Sequence, residues 1–247
     1  MRYFIELSYF GSAYHGWQRQ PNAITVQEVV EEGLATILRS EIPLVGAGRT
    51  DTGVHARQMY AHFDLDDTLE TTALPQRLNA YLPQDISVHR IKKVRAEAHA
   101  RFDAIQRTYE YWLVGKKDPF LKDSAHQLLL PLDLEAMNEA AEIILGYDDF
   151  ECFSKAHSDV KTFICEIRRA VWQQKEEKLV FTITADRFLR NMVRAIVGTL
   201  LDVGLAKTAP EELRQIIEGK DRSKAGASVP AKGLYLTEVM YPEDIFI

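Results

Sequence analysis

Apolar and polar positions follow two rhythms along this chain, and the switches between them mark out its elements. Residues 2–9 (RYFIELSY) are rich in aromatic and β-branched types and predict a strand. Val26, Val30, Leu34, Ile37 and Leu38 then recur at helical spacing, so 26–39 is predicted as an amphipathic helix. Thr25-Val26-Gln27-Glu28 opens it as a capping box, in which Thr25 and Glu28 serve each other's backbone donors. Met59 to Leu65 alternates as a strand. Residues 72–82 predict a second helix, with Pro75 tolerated in its first turn and Pro83 beyond its end. Ile86 to Val94 alternates again.

The second half repeats the theme. Gln106 to Val114 predicts a strand with Tyr109, Tyr111 and Leu113 on one face. Asp133 caps a helix through Leu145, which Gly146 stops. Residues 162–173 and 178–186 predict an antiparallel pair across a polar turn. Leu189, Met192, Val193, Ile196, Val197, Leu200 and Leu201 define a further long helix, and Pro210 opens a short one. Residues 233–241 form a final strand. This order predicts an α+β fold of two halves, 1–100 and 101–247, with helices on one face of a mixed, largely antiparallel sheet. The weakest seam falls near residues 96–105.

Composition narrows the function classes. The 247 residues are 46% hydrophobic and 27% charged, which is ordinary for a soluble globular chain. Cys152 and Cys165 are too few for a disulfide framework or a zinc site, and the histidines show no metal spacing. Glu6 interrupts the first apolar run, so no signal peptide is read. No apolar run approaches the ~18 residues of a membrane span, so a cytoplasmic protein without membrane contact is expected. No phosphate loop of Walker or Rossmann form is present. The net charge of −6 argues against a nucleic-acid partner. Residues 89–122, however, hold nine cations against four acids, a local +5 that suits either a solvated face or an RNA-binding groove.

The candidate chemistry centres on Gly46 to Ala56 (GAGRTDTGVHA). Three glycines within eight residues allow a sharp turn and close approach to a ligand. Arg49 stands two residues from Asp51 and favours its ionised form. The plainer alternative is a polar turn in which Asp51 bonds its own backbone. Asp51-Thr52-Gly53 also matches the Asp-Thr-Gly of aspartic proteases, which need two such aspartates sharing one proton. This chain has one copy, and Arg49 would hold even a dimer's pair ionised. His55, four residues after Asp51, is a further candidate, with a structural histidine as the alternative. Tyr109 and Tyr111 suit core packing or a stacking platform for a base. Arg187, Arg190 and Arg194, spaced three and four apart, could line one helical strip. Arg194 sits among apolar neighbours, where a buried arginine calls for a carboxylate partner.

Taken together, these motifs resemble one family, the tRNA pseudouridine synthases of the TruA type. The resemblance runs through Tyr9-Phe10-Gly11 with Gly16-Trp17-Gln18-Arg19-Gln20, then Gly48 to Ala56 and His99-Ala100-Arg101-Phe102. It continues in Arg107-Thr108-Tyr109-Glu110-Tyr111, Phe188 to Arg194 and Gly233-Leu234-Tyr235-Leu236, so it covers nearly the whole chain. It implies two ferredoxin-like halves that join their sheets, with the active-site cleft between them. It also implies a homodimer that binds tRNA across both subunits, acting on uridines 38, 39 and 40 in and beside the anticodon stem-loop. No metal or organic cofactor is expected. By the match, Asp51 is the catalytic aspartate, Tyr109 the aromatic beneath the uracil and Arg194 the partner of Asp51. Arg49 would lie against the displaced RNA. Arg19, His55, Arg101, Arg107, Arg187 and Arg190 are the further candidates for RNA contact. Whether Asp51 attacks carbon or takes a proton from the sugar stays open. A non-catalytic RNA-binding protein would keep the basic stripe and the aromatics without needing Asp51.

Overall fold

A computed structural model describes residues 1–66, 69–155 and 160–247. In chain order the elements are β1 (Arg2–Tyr9), α1 (Val26–Leu38), β2 (Val45–Gly46), β3 (His55–Asp64), α2 (Leu74–Tyr81), β4 (Ile86–Val94) and β5 (Gln106–Val114). There follow β6 (His126–Gln127), α3 (Leu134–Ile144), β7 (Ile167–Lys175), β8 (Lys178–Ala185), α4 (Met192–Gly204), α5 (Glu212–Glu218) and β9 (Leu234–Met240). The chain divides into two compact units, Met1–Arg107 with Tyr235–Ile247, and Thr108–Leu234. The stretch 96–105, where the sequence places the seam, belongs to the first unit, and the chain returns to that unit through β9. The class is α+β, with helices packed on mixed, largely antiparallel β-structure. Among the described residues no helix is long and apolar enough to cross a membrane.

In the first unit the strand order is β4-β1-β3-β9, with β2 also on β3. β1 runs antiparallel to both neighbours, whereas β9 joins β3 in parallel through His55–Tyr235 and Ala56–Leu236. Alternation gives β1 two buried faces, which explains its nearly unbroken apolar run. Ile5 and Leu7 lie opposite Ala61 and Met59 on one face. Phe4 and Glu6 lie opposite His62 and Tyr60 on the other, and Tyr241 and Phe246 meet the Phe4 ring edge-on. Buried Glu6 is tolerated because Tyr60 Oη (2.6 Å), Gln58 Nε2 (3.0 Å) and Arg90 Nε all donate to it. Burial would raise its pKa, but those three donors together pull it below the ordinary glutamate value.

In the second unit β7 and β8 form an antiparallel hairpin, β8 neighbours β5, and β6 joins β5 in parallel. Asp133 caps α3 by accepting from the Ala136 amide at 3.0 Å. Glycines let the segment after α5 run close along α4, since a Cβ at Gly198 would lie 1.8 Å from the Ala227 carbonyl oxygen.

Three elements start three or more residues away from the sequence reading. β3 starts at His55 rather than Met59, because its first residues pair with β9. β7 starts at Ile167 rather than 162. α4 starts at Met192, behind Asn191 at φ 66°, so Arg187 and Arg190 precede the helix and share no helical strip with Arg194.

Candidate active site

Asp51 lies half-buried in the loop between β2 and β3, and residues 9–17 form a cradle beneath that loop. The Tyr9 hydroxyl bonds Thr50 Oγ1 at 2.8 Å. The Trp17 amide donates to the Thr50 carbonyl (3.3 Å) and the Gly53 amide to the Tyr14 carbonyl (3.3 Å). The Val54 amide closes a turn on the Asp51 carbonyl at 3.1 Å, with Gly53 at φ +77°. Contact between cradle and loop is close enough to need glycine. At Gly16, itself at φ +88°, a Cβ would stand 2.3 Å from the Thr50 carbonyl oxygen and 3.2 Å from the Asp51 carbonyl carbon. At Gly11 it would stand 1.9 Å from the Val54 carbonyl oxygen. Tyr9, Gly11, Tyr14 and Gly16 are thus positioning residues that periodicity does not reveal; the glycines of Phe10-Gly11 and Gly16-Trp17 are their sequence trace.

His55 belongs to the same support. It is 1% exposed, its ring packed against Phe10 (4.2 Å between centroids) and Tyr235 (4.6 Å). Its Nδ1 accepts from the Gly11 amide at 2.9 Å, which puts the proton of the neutral ring on Nε2. That is the structural alternative for this residue. Arg107 is likewise turned onto backbone. Its guanidinium donates to the carbonyls of Arg101 (2.5 Å), Ala104 (2.7 Å) and Ala47 (3.2 Å), the last at the root of the Asp51 loop.

Arg49 is exposed beside Asp51. Arg19 is exposed and faces Glu31 at 3.5 Å and Glu28 at 3.6 Å. Arg101 is exposed on a turn next to Phe102. Several cations of the 89–122 stripe carry acid partners: Arg90 on Glu6, Arg95 on Asp244 (3.0 Å) and Lys116 on Glu177 (2.6 Å).

The second unit holds the other candidates. On β5 the two tyrosines separate: Tyr111 is fully buried and donates to the Pro230 carbonyl at 2.9 Å, while Tyr109 is half-exposed. The Tyr109 ring meets Phe188 edge-to-face at 5.2 Å. Arg194 stands half-buried in the first turn of α4, where the helix dipole disfavours a cation by roughly 0.3–1 kcal/mol. Its Nε donates to the Val229 carbonyl at 2.7 Å, which fixes the guanidinium plane. Arg187 donates to the carbonyls of Ile164 (3.2 Å) and Thr162 (3.3 Å), and Arg190 is exposed. Cys152 and Cys165 are buried thiols whose pKa burial pushes up to about 12, so neither is a poised nucleophile. Among the described residues, no three or more His, Cys, Asp or Glu gather as a metal site would require.

Comparison with known proteins matches the chain to one group. A family model described as tRNA pseudouridine synthase matches residues 7–103 and 140–242. The chain is 54% identical over 246 residues to a tRNA pseudouridine synthase A of Parabacteroides distasonis, spanning 99% of this chain and 98% of that protein. It is 54% identical over 248 residues to the protein of that name from Bacteroides thetaiotaomicron, spanning 99% and 92%. It is also 40% identical over 239 residues to the one from Caldicellulosiruptor bescii, spanning 96% and 98%.

Proposed function

Because the chain belongs to the tRNA pseudouridine synthase family, we propose that it isomerises uridines 38, 39 and 40 in the anticodon stem-loop of tRNA, with Asp51 as the catalytic carboxylate. The reaction breaks the N1–C1′ bond, turns the uracil and rejoins it to the sugar through C5. N1 gains a proton and C5 loses one, so no redox partner or hydrolytic water is consumed. The target base leaves its stack at a cost of a few kcal/mol, offset by stacking and edge contacts in the enzyme. Asp51 acts at the ribose–base junction, either on carbon or on a sugar proton. Tyr109 stacks beneath the uracil and offers its hydroxyl near C5. Arg194 orients Asp51 by a forked, charge-assisted pair. Arg49, Arg19, Arg101, Arg187 and Arg190 are read as cations that face phosphate. The same reading takes each unit as a ferredoxin-like half, the working form as a homodimer and the compartment as the cytoplasm.

One observation carries this: the chain surrounds Asp51 with a cradle of hydrogen bonds and glycine-tight contacts. A polar turn between two strands does not need such support, whereas a catalytic group held to within a fraction of an ångström does. The test is tritium release from [5-³H]uridine in tRNA, since C5 must lose its hydrogen isotope to bond C1′. Wild-type protein is expected to release it, and Asp51→Asn to release none while holding tRNA within about tenfold, or ~1.4 kcal/mol. Turnover of Asp51→Asn above a few per cent of wild type would remove Asp51 from the chemistry.

A further inference from the structure

The turn 99–103 is held almost group by group. On the amide side, Asp103 Oδ2 accepts from His99 (2.7 Å) and His62 Nδ1 from Ala100 (3.1 Å). His99 Nδ1 accepts from Arg101 (3.1 Å) and Phe102 (3.4 Å), and the His99 carbonyl from the Asp103 amide (3.0 Å). On the carbonyl side, Arg2 holds Ala98 (2.9 Å), the Tyr241 hydroxyl holds Ala100 (2.6 Å), and Arg107 holds Arg101 and Ala104. Six side chains therefore fix one short turn, and what it presents to solvent is Arg101 and Phe102.

Phe102 is 74% exposed, so its ring contributes little to the core. It is nevertheless ordered by flat neighbours. The His62 and His99 rings meet edge-on at 4.7 Å, His99 lies 4.3 Å from Phe102 at 34°, and the Arg101 guanidinium stands 5.7 Å from the Phe102 centroid. A column of planar groups thus runs from buried His62 outward and ends in an open ring beside a cation. The nearest acid on the turn, Asp103, is engaged with the His99 amide.

Given tRNA as the substrate read above, we infer that Phe102 and Arg101 form a stacking post for one unpaired base of that tRNA, distinct from the target uridine. Unpaired bases are recognised by aromatic rings and guanidinium planes, and the adjacent cation suits the phosphates on either side. Arg107 bonds the turn at Arg101 and the root of the Asp51 loop at Ala47. Post and catalytic loop therefore belong to one frame, and a base seated on Phe102 fixes the register of the RNA relative to Asp51.

Phe102→Ala, Phe102→Leu and Phe102→Trp test this, with tRNA affinity measured by fluorescence anisotropy and turnover by tritium release. Alanine and leucine are expected to weaken tRNA binding by about five- to a hundredfold, leucine failing because it keeps apolar area without a π face. Tryptophan should bind within twofold of wild type or tighter, and its emission should be quenched when tRNA is added. Alanine and leucine variants that both bind within twofold of wild type would overturn the post. So would a tryptophan variant as weak as alanine, or a variant whose only change is a smaller sedimenting species, which would assign Phe102 to a protein contact. Wild-type protein that binds tRNA but releases no tritium would sink the proposed activity alone, because the affinity series still decides the post.

Discussion

Replacing Gly16 with alanine should cost catalysis far more than it costs substrate binding. The new Cβ would stand 2.3 Å from the Thr50 carbonyl oxygen, whereas a carbon–oxygen contact settles near ~3.3 Å. Cradle and loop must part by about 1 Å. Two further costs follow. The φ of +88° strains an alanine by roughly 1–2 kcal/mol, and parting stretches the Trp17-to-Thr50 hydrogen bond, worth about 1 kcal/mol. A stability loss of roughly 2–3 kcal/mol is expected, visible in a thermal melt. Asp51 is the next residue along, and a displacement of about 1 Å at a reacting group costs on the order of 10²-fold in rate. Gly48 provides the control, because it belongs to the same glycine cluster yet has nothing within 4 Å of its Cβ position and no positive φ. Gly48→Ala should stay within about 0.5 kcal/mol of wild type and keep its rate. Single-turnover tritium release on saturating tRNA separates the two. A Gly16→Ala rate within threefold of wild type would refute the cradle as the device that positions Asp51. Equal damage from Gly48→Ala would show that glycine content matters rather than the contact.

Tyr109→Phe keeps the ring against Phe188 and should hold tRNA while turnover drops; full activity would leave the hydroxyl without a proton-transfer role. Arg194→Lys keeps the charge but loses the Nε bond to Val229 and the forked geometry, so a large fall in kcat is expected. Near-normal kinetics there would exclude a carboxylate partner for Arg194. Burial, with the charges of Arg2 and His99 adding to it, holds the His62 pKa at about 4 against 6.5 in the unfolded chain. Both states are neutral above pH 6.5; between 6.5 and about 4 only the unfolded chain takes the proton, so stability falls with pH, by about 3 kcal/mol in all. His62→Asn keeps an acceptor for the Ala100 amide and should flatten that decline in denaturant melts at pH 7, 5.5 and 4.5; an unchanged slope would reject His62 as its source.

Single-rhythm elements are legible in this sequence, and features set by distant contacts are not. β1, β4 and β5 can be read to the residue because β-branched and aromatic alternation runs their full length. The start of α4 cannot: Leu189 continues the helical spacing, but the left-handed backbone of Asn191 is invisible to periodicity. His55 to Gln58 show no alternation, because their place in β3 is secured by Tyr235 and Leu236, far along the chain. At the site, Asp51 stands out as a motif, yet its cradle joins residues about forty apart. Tyr109 and Tyr111 share one face and one residue type. Only the packing against Pro230 and Phe188 assigns the first to the surface and the second to the core.

The first unit is built from two pieces of chain, with the whole of the second unit between them. On a ribosome, where domains fold as they emerge, this makes the second unit the earlier one to have all of its residues. Tyr235, which packs on His55, and Tyr241, which holds Ala100, emerge only afterwards. Biogenesis therefore runs partly against the order of the sequence: the Asp51 loop and its cradle are translated early, and the packing behind His55 is completed late. A chain halted before residue 235 would hold Asp51 and the residue 9–17 cradle but lack Tyr235 against His55 and Tyr241 on Ala100.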